Sequence, residues 1–358
     1  MRNPPLMLEK PQLFDSLMSQ IIREGECSFC GACMAACPIN ILWPVDEQPT
    51  MVGTCVLCGI CYNQCPNVEF SSDDVEYFIH GRTRKADEKV GIYRQAFVGR
   101  ACYSDINSRG QDGGVVTALL AYALESKLID AAVVAGRDAK WLARPKVATR
   151  YEDLVQSAGT KYTPSPTILG VRSAIDDYGK SRVGLVGTPC QIRAVRRIQT
   201  SPLGNRRLAQ AMTLSIGLFC MESYKYDSLM ENYIISKGID PTRLTKVEIK
   251  KGQFVVSSGE TEVLRVPLKD LNQFVRGSCH QCDDFTAEYA DVSVGGIGGP
   301  SGYSSIIART RAGLELVTAA SRAGYVELRE LKQEDKGFQR ILNMTQMKKA
   351  RKSVQKIT

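Results

Sequence analysis

The spacing of hydrophobic and polar positions divides the chain into stretches of different character. Near the start, Leu13, Leu17, Met18 and Ile21 recur at helical spacing and predict a short amphipathic helix over 11–24. From 27 to 70 neither a helical nor a strand period holds, because cysteine, glycine and proline interrupt it. Residues 71–92 are polar and charged and read as a solvated connector, with His80 on its surface. Beyond 93 the texture alternates. Strands are predicted at 95–100, 131–135, 146–149, 183–186, 212–219, 292–294 and 305–310. Helices are predicted at 113–126, where Val116, Leu119, Leu120, Ala123 and Leu124 share a face, and at 151–158, 191–199, 226–237 and 312–323. Gly238 and Pro241 stop the fourth of these. Three short runs at 247–250, 253–257 and 262–266 read as an antiparallel meander. Such alternation predicts an α/β domain with a mixed sheet and helices, preceded by a small α+β module. The expected segments are 1–26, 27–70, 71–92, 93–327 and a basic tail at 328–358. The tail reads as a solvated helix, with a docking arm for an acidic partner as the alternative.

A length of 358 residues, with 44% hydrophobic and 23% charged content, allows two or three globular domains. No apolar run is long enough to span a bilayer, and the first residues show no signal-peptide core. The expectation is a cytoplasmic protein that reaches a membrane only through partner subunits. Thirteen cysteines in that setting argue for metal ligation over disulfides. A net charge of +8 suits an anionic ligand or an acidic partner. Nucleic acid is not expected, because no aromatic residues interleave with the arginine cluster.

Two runs carry the sharpest chemistry. Cys27, Cys30, Cys33 and Cys37 form C-x2-C-x2-C-x3-C-P, and Cys55, Cys58, Cys61 and Cys65 repeat it 28 residues on. This is the run of bacterial two-cluster ferredoxins, in which the fourth cysteine of each run ligates the other cube. The expected sets are therefore Cys27, Cys30, Cys33 and Cys65 for one [4Fe-4S] cluster, and Cys55, Cys58, Cys61 and Cys37 for the other. Pro38 and Pro66 turn the chain away, and Gly31 and Gly59 are expected to keep backbone N–H groups close to the cluster sulfurs. Zinc sites use isolated C-x2-C pairs and need far fewer thiols.

Further along, Cys190 follows a predicted strand in the turn G-T-P-C-Q, Cys220 ends another, and Cys279 and Cys282 form a C-x2-C. Strand ends in an α/β sheet share a rim where ligands collect. Four thiols there could hold a third four-iron cluster, a zinc ion, or nothing, as small buried hydrophobes. Cys102 is left over and reads as structural. Glycine-rich turns at 108–114, 157–162 and 187–189 suit phosphate, since backbone N–H groups at a helix start attract anions. No G-x-G-x-x-G follows a strand. The loop 295–304, rich in glycine, either admits a flat ligand close to backbone or is mobile. Arg193, Arg196 and Arg197 share a helical face that could grip a polyanion or stand in solvent.

The ordered motifs D-G-G-V-V-T-A-L-L, S-A-G-T-K-Y-T-P, G-T-P-C-Q, F-C, C-H-Q-C-D-D-F-T-A-E-Y-A-D-V-S-V-G and G-Y-S-S-I-I-A-R-T, spread over 93–327, resemble the family of coenzyme F420 hydrogenase/dehydrogenase beta subunits. With the ferredoxin module in front, the chain is most similar to family members that feed electrons into F420H2 dehydrogenase, an archaeal respiratory complex. The resemblance implies FAD, with contacts at Gly113, Gly114, Thr117, Gly159, Thr160, Lys161, Tyr162 and Thr188. It also implies a third [4Fe-4S] cluster on Cys190, Cys220, Cys279 and Cys282. Its substrate would be reduced coenzyme F420, a deazaflavin hydride donor, with Arg193 and Arg197 as anchors for the phosphate and glutamate tail. Other subunits of a redox complex would take the electrons, and no side chain would act as acid or base. Hydrogenase, heterodisulfide reductase and sulfite reductase systems share this half-reaction, and a non-catalytic relay is the remaining alternative. Two positions depart from the family pattern: Asp112 replaces a small residue before the glycine pair, and Tyr303 stands where tryptophan is usual.

Overall fold

The computed structural model describes residues 11–68 and 70–355. The first ten residues, Glu69 and the last three of the expected basic tail lie outside the described residues.

The N-terminal stripe forms a helix over Phe14–Leu17 that widens to π-helical geometry over Met18–Ile22, burying Phe14, Leu17, Ile21 and Ile22. The cysteine runs then wrap two short helices, Ala32–Ala36 and Ile60–Asn63, around a hairpin of β1 (Leu42–Val45) and β2 (Gln48–Met51).

The second part is built on an eight-stranded mixed sheet. Its strands are β3 (Gln95–Ala101), β4 (Ala131–Arg137), β5 (Ala143–Ala148), β6 (Val183–Gly187) and β7 (Met212–Leu218). A separate antiparallel meander of β8 (Lys246–Lys250), β9 (Gln253–Ser258) and β10 (Thr261–Pro267) follows. The main sheet is completed by β11 (Val292–Gly295), β12 (Ser304–Ala308) and β13 (Val326–Glu330). Their order is β13-β3-β12-β11-β7-β6-β4-β5. The centre, β11-β7-β6-β4, is parallel, and antiparallel strands flank it. Because β12 runs against both β3 and β11, the C-terminal ends of β3, β4, β6, β7 and β11 emerge on one rim.

Strand periodicity sends alternate residues to opposite faces. Ala132 and Val134 join the core beneath helices Val115–Glu125 and Arg311–Arg322, whereas Val133 joins the core beneath Thr167–Asp176 and Pro189–Thr200. The second core also takes in Ala32, Ala35 and Ala36, so the cysteine module shares packing with the sheet domain. The expected connector is ordered: helix Ser72–His80, capped by Ser71, buries Val75 and Glu76. Arg84 ties Glu76 to Glu288 across it. His80 is half-buried, and burial among Arg309, Arg196 and Arg82 lowers its pKa to about 4. The sheet domain runs past the expected boundary at 327, because β13 forms its edge. Cys102, expected as structural, is exposed.

Among the described residues Arg309 is the largest fully buried side chain. Its guanidinium donates to Ser293 Oγ (2.6 Å), Val90 O (2.9 Å), Ile92 O (3.2 Å), and to Thr286 O and Oγ1, pinning the connector to β11 and β12. Arg309→Met leaves several buried acceptors without donors and is expected to cost roughly 3–5 kcal/mol, read by denaturant unfolding.

Candidate functional site

Each cysteine run builds the same local device. Phe29 and Leu57 adopt positive φ, which turns their N–H groups onto Cys27 Sγ (3.4 Å) and Cys55 Sγ (3.3 Å). Gly31 and Gly59 then open the short helices at φ +93° and +72°. A Cβ at Gly31 would lie 2.7 Å from Pro166 O, and one at Gly59 2.8 Å from Gln12 O. The glycines thus allow close approach of neighbouring backbone. Two cavities result. One is lined by Cys37, Cys55, Cys58 and Cys61. The other is lined by Cys27, Cys30, Cys33 and Cys65. Each cavity gathers three thiols of one run and the fourth of the other. Among the described residues no His, Cys, Asp or Glu group converges as it would on a single ion. The thiols stand around space instead. Burial pushes Cys61 up to about 11 and Cys65 to about 12. Such thiols ionise when a metal takes the proton's place.

The third set collects on the rim. Cys190 lies in the first turn of Pro189–Thr200, with its Sγ 3.2 Å from Thr188 Oγ1. Cys220 follows β7, and its N–H donates to Phe285 O (2.9 Å). Cys279 lies on helix Gly277–Gln281 and accepts from Ser223 N (3.3 Å), with Cys282 at that helix's end. The charges of Cys279, Cys190 and Cys282 all bear on Cys220. Burial pushes Cys282 to about 12. Cys190 also acts on Cys27 and Cys30, and Cys61 acts on Cys33. The three sets therefore stand in a row, with the Cys27 set in the middle.

Near the third set lie the glycine turns, joined to it through Tyr162, whose carbonyl accepts from Ser223 and Tyr224. Gly113 N–H donates to Ser304 Oγ (3.1 Å), and a Cβ there would lie 2.6 Å from Gly99 O. Gly114, at φ +66°, opens helix Val115–Glu125, and Thr117 is buried in its first turn. Gly159, at φ +86°, faces Arg109 O, and Thr160 follows it. Lys161 Nζ donates to Ser157 O (2.5 Å) and Gly159 O (2.8 Å), and desolvation brings its pKa down to about 7. Tyr162 meets Phe254 edge-on at 5.7 Å, and its carbonyl accepts from Tyr224 N and Ser223 Oγ. It thereby joins the glycine lining to the Cys220 loop. Thr188 caps its helix reciprocally with Gln191. Asp112 leans onto Gly296, and burial raises its pKa. Tyr303 sits between the Arg100 and Arg329 guanidiniums (5.7 and 5.5 Å). The loop 295–304 is packed: a Cβ at Gly298 would meet Ser305 Oγ at 2.6 Å.

Sequence reasoning missed four residues here. Asn107 Oδ1, Gln111 Oε1, Thr163 Oγ1 and Ser165 Oγ are buried without hydrogen-bond partners. Buried polar atoms are rarely left unpaired, so these suit a polar ligand. Gln111, Thr163 and Ser165 lie within or beside the glycine motifs, which was the available signal. With the helix start at Gly114 and positive-φ glycines, this lining fits a cofactor bearing a diphosphate.

The arginines after Cys190 go elsewhere. Arg193 stacks over Phe70 (4.1 Å), and Arg197 Nε donates to Asn63 O (2.8 Å), both at the seam with the cysteine module. Arg196 is buried on Tyr289 O (2.8 Å), Ser215 Oγ (3.1 Å) and Asp291 (3.3 Å). Arg193 and Arg197, expected as anchors for a deazaflavin tail, thus stand at the seam with the cysteine module.

An α/β sheet with a cysteine-rich rim, fused to a tandem four-cysteine module, defines a component of an iron–sulfur oxidoreductase. The chain belongs to the family of coenzyme F420 hydrogenase/dehydrogenase beta subunits. Residues 96–170 match the N-terminal part, and 180–334 the C-terminal part, of "Coenzyme F420 hydrogenase/dehydrogenase, beta subunit". Residues 21–43 match "4Fe-4S binding domain". The beta subunit of the coenzyme F420 hydrogenase of Methanothermobacter thermautotrophicus is 37% identical over 262 residues, 73% of this chain and 92% of that protein. The F subunit of the F420H2 dehydrogenase of Methanosarcina mazei is 32% identical over 307 residues, 83% of this chain and 82% of that one. A chain of the F420-reducing [NiFe] hydrogenase complex from Methanosarcina barkeri superposes with a TM-score of 0.71 at 33% identity, covering 76% of this chain and 94% of that chain. Among the described residues no helix is long and apolar enough to cross a membrane.

Proposed function

We propose that this chain takes a hydride from reduced coenzyme F420 onto FAD and passes the electrons singly through three [4Fe-4S] clusters to another subunit, as the input subunit of an F420H2 dehydrogenase. The observation that carries the reading is the row of three cysteine sets. It begins beside the glycine lining, where Tyr162 meets the Cys220 loop, and ends at exposed Cys58. FAD supplies the conversion between a two-electron hydride and one-electron carriers, and the clusters supply the one-electron steps.

The chain's own residues do the rest. Gly113, Gly114 and Thr117 present a helix start to a diphosphate, while Gly159, Thr160 and Thr188 border it. The orphaned Asn107, Gln111, Thr163 and Ser165 atoms give polar contacts that orient a flat ring system. Lys161 spends its donors on carbonyls, so it supports the turn at Gly159 and is not free to shuttle protons. Hydride transfer needs no protein acid or base, so no catalytic side chain is assigned. The apolar walls of the two cavities, including Phe14, Leu17, Ile21 and Met34, keep water from the sulfurs. At the far end, Val52, Val56 and Leu57 face outward around Cys55 and Cys58, a suitable exit to a partner. The relatives' printed names support F420 and a multi-subunit setting.

The test is anaerobic reconstitution of the full chain with iron, sulfide and FAD. Three clusters predict about twelve irons per chain, and reduced F420 is expected to bleach the flavin absorbance within the mixing time. Bound FAD that stays yellow after the addition removes the catalytic claim.

A further inference from the structure

The C-terminal basic helix is solvated on one side only, and a stripe along its other side is buried. Helix Lys336–Gln355 packs against helix Gly277–Gln281, which carries Cys279. Phe338, Ile341, Thr345 and Lys348 fall three or four residues apart along it, and all four are buried. Lys348 occupies the place on that stripe where an apolar residue would be expected, with only 2% of its surface exposed. Its Nζ donates to Met221 O, beside Cys220.

A buried ammonium is costly unless an opposite charge lies near. Among the described residues no carboxylate stands within ion-pair distance of Lys348 Nζ. Its neighbours pair elsewhere: Arg351 with Glu222 (2.9 Å) and Lys349 with Glu288 (3.0 Å). The groups whose thiolate charge bears on Lys348 once they are ionised are Cys282, Cys220 and Cys279, three of the four thiols of the rim set. The cation is therefore placed against those sulfurs by a helix that is itself held by two ion pairs.

We propose that Lys348 is the built-in counter-charge of the rim cluster, favouring its reduced form and raising its reduction potential. This rests on the reading that a [4Fe-4S] cluster occupies the rim set. Reduction adds one electron to the cluster and no proton, so a fixed positive charge nearby stabilises the product of that step. Lys348 acts through the cluster as a positioning residue.

The test is a potentiometric titration of the reconstituted full chain, followed by electron paramagnetic resonance, with Lys348→Met and Lys348→Arg beside the wild type. Lys348→Met is expected to lower one of three midpoints by about 59 mV or more, a tenfold shift in the oxidised-to-reduced ratio for one electron. The other two midpoints stay, and Lys348→Arg keeps all three near wild type. A Met variant with full iron content and no shifted midpoint overturns the proposal. If the Met variant loses about four irons, the Arg variant decides. A retained cluster at the wild-type midpoint supports the role of charge, and loss in both variants overturns it in favour of packing. A wild-type chain holding only about eight irons would instead refute the rim cluster itself, a failure distinct from any result on Lys348.

Discussion

Cys65→Ser is expected to remove the cluster of the first cysteine run, although Cys65 belongs to the second. The cavity lined by Cys27, Cys30 and Cys33 is completed by Cys65, which is buried there. Cys65 feels the charge of Cys27 most among the thiols. A serine hydroxyl is a harder and poorer ligand for iron than a thiolate. Iron should fall by about four atoms per chain, and the remaining signals should be those of the other two sets. On the proposed function, with the Cys27 set in the middle, flavin bleaching by reduced F420 should persist while onward transfer to an external one-electron acceptor stops. Iron analysis and stopped-flow absorbance check both halves. A variant that keeps the first-run cluster and loses that of Cys55, Cys58 and Cys61 would show that the runs are not crossed.

Arg276→Met is expected to loosen the cysteine module from the sheet domain, by roughly 3–5 kcal/mol for a buried pair broken on one side. Arg276 donates to Glu47 Oε2 (2.6 Å) and to Cys27 O (3.0 Å), and it also acts on Cys279. Glu47, in the turn between β1 and β2, additionally accepts from Tyr226 N (3.1 Å). In the wild type, burial raises the Glu47 pKa and Arg276 opposes that rise. Without the guanidinium the pKa climbs further. A carboxyl whose folded pKa lies above its unfolded value binds protons more tightly when folded, so stability falls as pH rises through the folded pKa. The deficit of the variant should therefore be largest at neutral and higher pH and shrink on acidification. Urea midpoints of wild type and variant between about pH 8 and about pH 5.5 measure this. A deficit that does not vary with pH would mean that Glu47 is not the group left uncompensated.

The cysteine sets were legible because their logic is local: three thiols within seven residues must face one space, whatever surrounds them. Met212–Leu218 was legible because apolar and polar residues alternate along it, and Ala131–Arg137 because it opens with a short apolar run, whereas the edge strand Val326–Glu330, with charged residues at three of five positions, was missed. Helix Thr167–Asp176 was missed. Pro164 and Pro166 precede it, and Gly170 interrupts it because a Cβ there would lie 2.7 Å from Val133 Cγ1. Close packing against β4 required a residue that weakens the helical signal. Helix Ser72–His80 was missed because one of its two buried side chains is Glu76, whose partner Arg84 lies beyond the helix. The arginines after Cys190 were rightly placed on a helix, but their acceptors are Asn63 O, Tyr289 O and the Phe70 ring. Carbonyls and ring faces distant in sequence leave no trace in a charge pattern. Lys348 was misread for the same reason, because a cation on a basic segment looks solvated until its neighbours are known.

The position of helix Lys336–Gln355 also bears on how the protein is made. These residues leave the ribosome after Cys190, Cys220, Cys279 and Cys282, so for some seconds of synthesis the rim thiols have no lid. On the proposed function, delivery of a cluster to that site fits this window, before the helix packs. A nascent chain stalled before 336 would instead present its sulfurs to oxidants, and quality control would meet it as a redox hazard rather than as a misfolded domain.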